Sequence, residues 1–140
     1  MVKQKKPAMV FLMETKLRGD KMGFIRHKLG IPNMFVMDGI GRSGGLALLW
    51  DENVTLDIQN YSQRHVNGVV KLGMSGEQRK FTGFYGHPDP SKRHEAWALL
   101  KHLANFTPLP WVCIGDCNDI LSHSEKWGGR EKSDSQMQAF

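Results

Sequence analysis

Between residues 34 and 85 the chain is cut into five short stretches, 34–37, 45–50, 54–61, 65–72 and 80–85, by breaks rich in Gly, Ser, Asp, Asn and Gln. Runs this short are strands rather than helices, because a helix needs roughly 10–12 residues to bury a face. The first three breaks, Gly41-Arg42-Ser43-Gly44, Asp51-Glu52-Asn53 and Ser62-Gln63-Arg64, read as the tight connections of one antiparallel meander. Gly76 supplies a further turn before the last stretch, which runs into Gly86-His87-Pro88.

Helical periodicity lies on either side of this β-rich centre. Residues 8–13 form an apolar strand that delivers Glu14 at its C-terminal end, and residues 21–29 predict a helix closed by Gly30 and Pro32. Asp89 as N-cap and Pro90 as first residue open a second helix of about 15 residues, with Trp97, Leu100, Leu103 and Ala104 on one face. Thr107-Pro108-Leu109-Pro110 breaks that helix, residues 111–114 make a short strand, and Gly115-Asp116-Cys117-Asn118-Asp119 leaves it as a loop. From Ser122 the chain is polar, and residues 131–138 are expected to be disordered or incomplete. Strands, a helix and a strand, with acids at strand ends, predict an α/β (α+β) layered domain with helices outside packed sheets.

A length of 140 residues bounds this to one domain, 1–140, with one core. There is no apolar window of about 18 residues that would span a bilayer and no signal-peptide pattern, so the expected location is intracellular, away from membranes. Nothing in the sequence points to an oligomer. The formal net charge of +5 and pI of about 9.4 favour a polyanionic partner such as nucleic acid. Because the basic residues are scattered, any anion-binding surface must be assembled by folding. Cys113 and Cys117 sit too far apart on an extended backbone for a disulfide and should be reduced. A zinc site lacks ligands in register.

The chemistry-bearing residues are few. If the chain stays extended, Asp116 and Asn118 project to the same side, where a carboxylate and an amide could hold a water and a phosphate oxygen together. Glu14, from another strand end, is a hard oxygen ligand suited to Mg²⁺. Each has a plainer reading. Asp and Asn after a strand are ordinary turn formers, and Glu14 could be a solvated strand-end acid. Tyr85 could pack its ring as a strand residue, and His87 beside Pro88 reads as a loop residue or a substrate contact. The Gly39-Ile40-Gly41-Arg42-Ser43-Gly44-Gly45 segment lacks the ending of a phosphate loop and precedes a strand, so it is a hairpin loop.

Six blocks occur in order: Phe11-Leu12-Met13-Glu14-Thr15-Lys16, Gly44-Gly45-Leu46-Ala47-Leu48-Leu49-Trp50, Phe81-Thr82-Gly83-Phe84-Tyr85-Gly86, Trp97-Ala98-Leu99-Leu100, Trp111-Val112-Cys113-Ile114-Gly115-Asp116-Cys117-Asn118-Asp119 and Ser124-Glu125-Lys126-Trp127-Gly128-Gly129. Together they resemble the endonuclease domain of plant non-LTR (LINE-type) retrotransposons, within the endonuclease/exonuclease/phosphatase superfamily, over residues 8–129. The resemblance implies a four-layer α/β sandwich of two packed, mainly antiparallel sheets, and DNA as partner and substrate. It implies Glu14 as the Mg²⁺ ligand, with Mn²⁺ the alternative ion. Tyr85 is implied at the scissile phosphate, Asp116 at the attacking water and Asn118 at the phosphate in the transition state. Arg93 is implied as a further substrate contact, beside the contact reading that His87 carries from its own place in the loop. A nuclear location follows only from the presumed DNA substrate.

Two departures from the family pattern accompany the resemblance. An early asparagine block is absent ahead of Glu14, and Ser133-Asp134-Ser135 is not the closing Ser-Asp-His block. The chain is therefore expected to be a domain truncated at both ends, with an incomplete fold. Cys117 stands where the family usually carries an aromatic residue. Two alternatives stay open: a non-catalytic remnant that at most binds nucleic acid, and a phosphatase of small phosphorylated molecules.

Overall fold

The computed structural model describes residues 7–41, 44–120, 123–125 and 127–128, with the side chains of Met74 and His123 left aside. Ser133-Asp134-Ser135 and residues 131–138 lie outside the described residues, as do Lys126 and Gly129 of the sixth block.

Two sheets pack face to face. In the first, β1 (Met9–Met13) and β2 (Asn33–Met37) flank β3 (Leu46–Trp50), both antiparallel to it. The second has β4 (Val54–Ser62), β5 (His65–Leu72), β6 (Gln78–Tyr85) and β7 (Trp111–Asp116) in that order. The β4–β5 and β5–β6 pairs are antiparallel, whereas β7 lies parallel to β6. Helix α1 (Gly19–Leu29) connects β1 to β2, and α2 (Arg93–Ala104) is the crossover that a parallel β6–β7 pair requires. This is an α+β sandwich of the expected class.

The predicted single meander is corrected at one point. The chain changes sheets between β3 and β4, because β3 already has a hydrogen-bonded neighbour on each side and cannot pair with a third. The residue pattern agrees with this break. Leu46, Ala47, Leu48 and Leu49 are all buried, as in a strand covered on both faces, while β4 alternates along its length.

Alternation along β3 and β6 sorts the layers. Leu46 and Leu48 join Val66, Phe81 and Tyr85 in the core between the sheets, and Ala47 and Leu49 face outward to Met22 of α1. Lys80, Thr82 and Phe84, on the other side of β6, are also buried, which places them under α2. The second helix differs from the sequence reading. It opens with a single 3₁₀ turn, Pro90–Lys92, capped by Asp89, and α2 proper buries Ala96 and Leu103 while Ala104 is exposed. Trp97 is not a core residue of that face because its indole N–H donates to Asp119 at 3.1 Å.

A polar layer lies beneath α2. Thr82 donates to Asn67 at 2.8 Å and accepts from the Trp111 indole at 3.0 Å. The Lys80 ammonium sits 4.5 Å from the centre of the Trp111 ring, and desolvation holds its pKa below the ordinary lysine value. Buried His65 bonds through Nδ1 to the Ser62 hydroxyl at 2.7 Å and through Nε2 to Asn60 Oδ1 at 2.8 Å, a contact reached across the register shift between Ile58 and Asn60. Burial lowers the His65 pKa from its ordinary 6.5. The unfolded chain therefore binds the extra proton first as pH falls. Stability should be level above 6.5 and decline as pH drops through 6.5 toward the lowered folded value. Urea midpoints measured at about pH 7.5 and pH 5 should show that decline, and His65→Gln should flatten it.

Candidate active site

The parallel β6–β7 pair sets Tyr85 directly beside Asp116, with the Gly86 N–H donating to the Asp116 carbonyl at 2.7 Å. Both residues end their strands, so the chemistry-bearing side chains gather at the carboxyl edge of that pair. Gly86 is needed there because a Cβ on it would lie 2.0 Å from the carbonyl oxygen of Cys117. Gly115 meets Phe84 as closely: its Cβ would lie 1.7 Å from the Phe84 carbonyl oxygen, at a φ of +147°.

Glu14 arrives from the other sheet. It follows the last residue of β1, and its carboxylate accepts the Tyr85 hydroxyl at 2.5 Å. The turn that aims it is held by the glycine segment before β3, where Thr15 N–H donates to Gly45 O at 3.2 Å and Lys16 N–H to Gly44 O at 3.1 Å. A Cβ on Gly45 would lie 2.5 Å from the Thr15 hydroxyl, so the segment read as a hairpin loop also seats the acid. Glu14 and Lys16 have φ of 48° and 51°, a left-handed backbone costing about 1–3 kcal/mol at each non-glycine residue. Strain of this kind persists only where surrounding contacts over-determine it.

The extended chain on which the same-side projection of Asp116 and Asn118 was conditional is not what forms. β7 ends at Asp116, and Asn118 is itself left-handed, with φ of 52°. The two still converge, because Asp116 Oδ1 accepts the Asn118 backbone N–H at 2.7 Å. The turn reading of this segment thus describes how the pair is built. Asn118 then donates through Nδ2 to the Gly86 carbonyl at 2.9 Å and lies within hydrogen-bonding reach of the Tyr85 hydroxyl. Desolvation raises the Tyr85 pKa, the Glu14 carboxylate raises it further, and Asn118 and Arg64 pull the other way. The net rise keeps the phenol protonated, as a donor.

Arg64 was not singled out in the sequence. It occupies the two-residue turn between β4 and β5, its guanidinium lies 5.7 Å from the Tyr85 ring centre, and Nη1 donates to Gly86 O at 3.3 Å. In the sequence it is one basic residue among many. Only the sheet register, with the Tyr85 N–H donating to Arg64 O at 2.7 Å, brings it to the site.

The other named residues sit further out. Arg93 pairs with Asp119 at 3.3 Å, a carboxylate only 3% exposed that also accepts from Trp97. This arrangement ties α2 to the loop after β7. The His87 ring accepts the Asp89 N–H on Nδ1 at 3.0 Å, which leaves the proton of the neutral imidazole on Nε2. Cys113 and Cys117 are free thiols, and desolvation pushes Cys113 up to about 11 and raises Cys117 as well, so neither is an activated nucleophile.

Among the described residues no three His, Cys, Asp or Glu side chains cluster around one point, and no helix is long and apolar enough to cross a membrane. A metal here would rest on Glu14, whose exposed carboxylate fits an ion that takes one or two carboxylates and keeps most of its water. Two acids, one phenol donor and one amide at strand ends, with one cation in a hairpin turn, can bind a phosphate group and direct a water at it.

A family model described as "Endonuclease/Exonuclease/phosphatase family" matches residues 1–136. No curated protein matches the chain. Among solved structures, the human Nocturnin catalytic domain with bound sulfate anion is 14% identical, with a TM-score of 0.61, over 84% of this chain and 54% of that one. TDP2 of D. rerio, complexed with single-strand DNA product, is 16% identical, with a TM-score of 0.60, over 85% and 51%. The 3′ phosphatase NExo from Neisseria, bound to product DNA hairpin, is 19% identical, with a TM-score of 0.62, over 95% and 58%. The chain thus spans about half the length of these structures. At such identities they speak for the fold.

Proposed function

Since this chain belongs to the endonuclease/exonuclease/phosphatase family, we propose that it is a Mg²⁺-dependent phosphodiester hydrolase acting on DNA, of the plant non-LTR retrotransposon type. The observation that carries the reading is the meeting of Glu14, Tyr85, Asp116 and Asn118, contributed by three separate strand ends, around one hydroxyl and one carbonyl. DNA is favoured by the net charge of +5 and by the nucleic acid in two of the similar structures. The retroelement assignment rests on the six ordered sequence blocks, and a nuclear location on the substrate alone.

Enzymes of this family generally use divalent metal ions. In the proposed site Glu14 would hold the ion, Mg²⁺ by preference or Mn²⁺, and when bound it would supply neutralisation of the charge developing on phosphate oxygens. The protein's own groups account for the rest. Asp116 orients a water and takes its proton, Tyr85 donates its hydroxyl to a non-bridging oxygen, and Asn118 donates its amide to the same phosphate. Arg64 adds positive charge behind Tyr85. Arg93, through Asp119, fixes the loop that carries Asn118, and remains a proposed substrate contact with His87.

The test is nicking of supercoiled plasmid by purified protein with Mg²⁺, with Mn²⁺ and with EDTA, beside the Glu14→Ala variant. Ion-dependent nicking that falls by roughly 10²–10⁴-fold in the variant is the expected result. A folded protein that nicks nothing, yet binds DNA or nothing, would support the non-catalytic reading instead. Release of phosphate from small monoesters without nicking would support the phosphatase.

A further inference from the structure

A cleft of about 200 Å³ opens beside the site, between the β4–β5 turn and the start of α2, with Ser62, Arg64, His87, Lys92 and Glu95 on its walls. It begins one hydrogen bond away from the catalytic cluster, because Gly86 O accepts both from Asn118 and from Arg64. From there the wall runs through His87, whose Nε2 carries the donor proton, to Lys92 at the end of the 3₁₀ turn. Two permanent cations face one acid, Glu95, leaving the cleft a formal charge of +1 with His87 neutral.

We propose that this cleft receives a second phosphate, that of the nucleotide next to the one cleaved, so that the protein grips a strand at two successive phosphates. The inference rests on the DNA-hydrolase reading of the adjoining site and adds residues that neither the family resemblance nor the sequence singled out, Arg64 and Lys92. A guanidinium anchored by one N–H to a backbone carbonyl keeps further donors for an anion, and an exposed ammonium across the cleft supplies the second charge. Glu95 opposes the same anion. It makes the grip weaker than the geometry would otherwise allow, which suits an enzyme that must release its product.

Lys92 and Glu95 are the residues to vary, because both are exposed and Arg64 also braces Gly86. Anisotropy titrations of the full chain with a labelled single strand of about 12 nucleotides, in EDTA and over a series of salt concentrations, read binding without cleavage. Lys92→Gln is expected to weaken binding several-fold and to reduce the slope of log K against log salt by about 0.7, the increment for one lost phosphate contact on a single strand. Lys92→Arg should restore the slope, and Glu95→Gln should tighten binding. If wild type binds and nicks but Lys92→Gln leaves the slope unchanged, the second-phosphate site is wrong and the hydrolase reading stands. If wild type neither binds the strand nor nicks plasmid, both fall. Adenosine 3′,5′-bisphosphate as competitor separates the sources of phosphate: competition equal to the strand's, lost in Lys92→Gln, would assign the cleft to a small molecule and overturn the strand.

Discussion

Asp116→Ala should cost roughly 10²–10⁴-fold in plasmid nicking, the range for removal of a positioned acid–base group. The effect should be among the largest in the protein because the side chain has two duties. Its carboxylate is the proposed acceptor of the water's proton, and its Oδ1 also accepts the Asn118 N–H that holds that residue in its left-handed turn. Alanine removes both, so the Asn118 amide is also set loose. Asp116→Asn separates them, since an amide oxygen can still accept the backbone N–H while the negative charge is gone. The asparagine variant should keep the circular dichroism and melting temperature of wild type and lose nicking to within about tenfold of the alanine variant. Full nicking by Asp116→Asn would mean that the charge has no part in the chemistry. Tyr85→Phe should fall less, by roughly 10–10²-fold, because the phenol donates a hydrogen bond and moves no proton.

Gly86→Ala is the second large effect, expected in stability first. The added Cβ would sit 2.0 Å from Cys117 O and 2.4 Å from its carbonyl carbon, and backbone atoms cannot turn aside as a side-chain end can. Relief requires β7 to move away from β6, breaking the Gly86 to Asp116 hydrogen bond. A loss of about 3 kcal/mol, or on the order of 10 °C in melting temperature, follows for a domain of this size. Gly83→Ala provides the contrast. Its Cβ would meet the Phe11 ring at 2.5 Å, and a ring can rotate or shift within the core, so roughly 1–2 kcal/mol is expected. Equal melting temperatures for the two variants would show that β6 and β7 yield to an added methyl group as readily as the Phe11 ring does.

How much of this was readable from residues alone depends on the range of the interaction. The strands, the two helices and the caps at Gly30 and Asp89 follow from local pattern, and their bounds differ from expectation by a few residues at most. The change of sheet after Trp50 did not follow. It depends on β3 being paired on both edges, a fact about β1 and β2 that no window around residue 50 contains. The same limit applies to the site. Glu14, Tyr85, Asp116 and Asn118 stand out through ordered blocks and strand ends, but of the extended and turn readings open for Asp116 and Asn118 the local pattern cannot choose, and a turn hydrogen bond is what joins them. Arg64 had no local signal, since its place is fixed by pairing with Tyr85 across a hairpin. Arg93 stood out, and the structure sets it against Asp119, a residue the sequence reading used only as loop.

The place of β7 in the order has a dynamic consequence. Among the described residues it is the outermost strand of its sheet, and Val112 and Ile114, on the face turned toward the other sheet, remain 43% and 39% exposed. Among the described residues only β6 pairs with it, so its amides should exchange with solvent deuterium sooner than those of β5 and β6, which are hydrogen-bonded on both sides. Asp116 ends this edge strand and Asn118 follows it, while Tyr85 is buried in the core and its hydroxyl holds the exposed Glu14 carboxylate. The site would then come together and separate with the docking of one strand, and a phosphate held between Tyr85 and Asn118 would fasten that strand in place. Slowed amide exchange along residues 111–118 on binding would record the fastening directly.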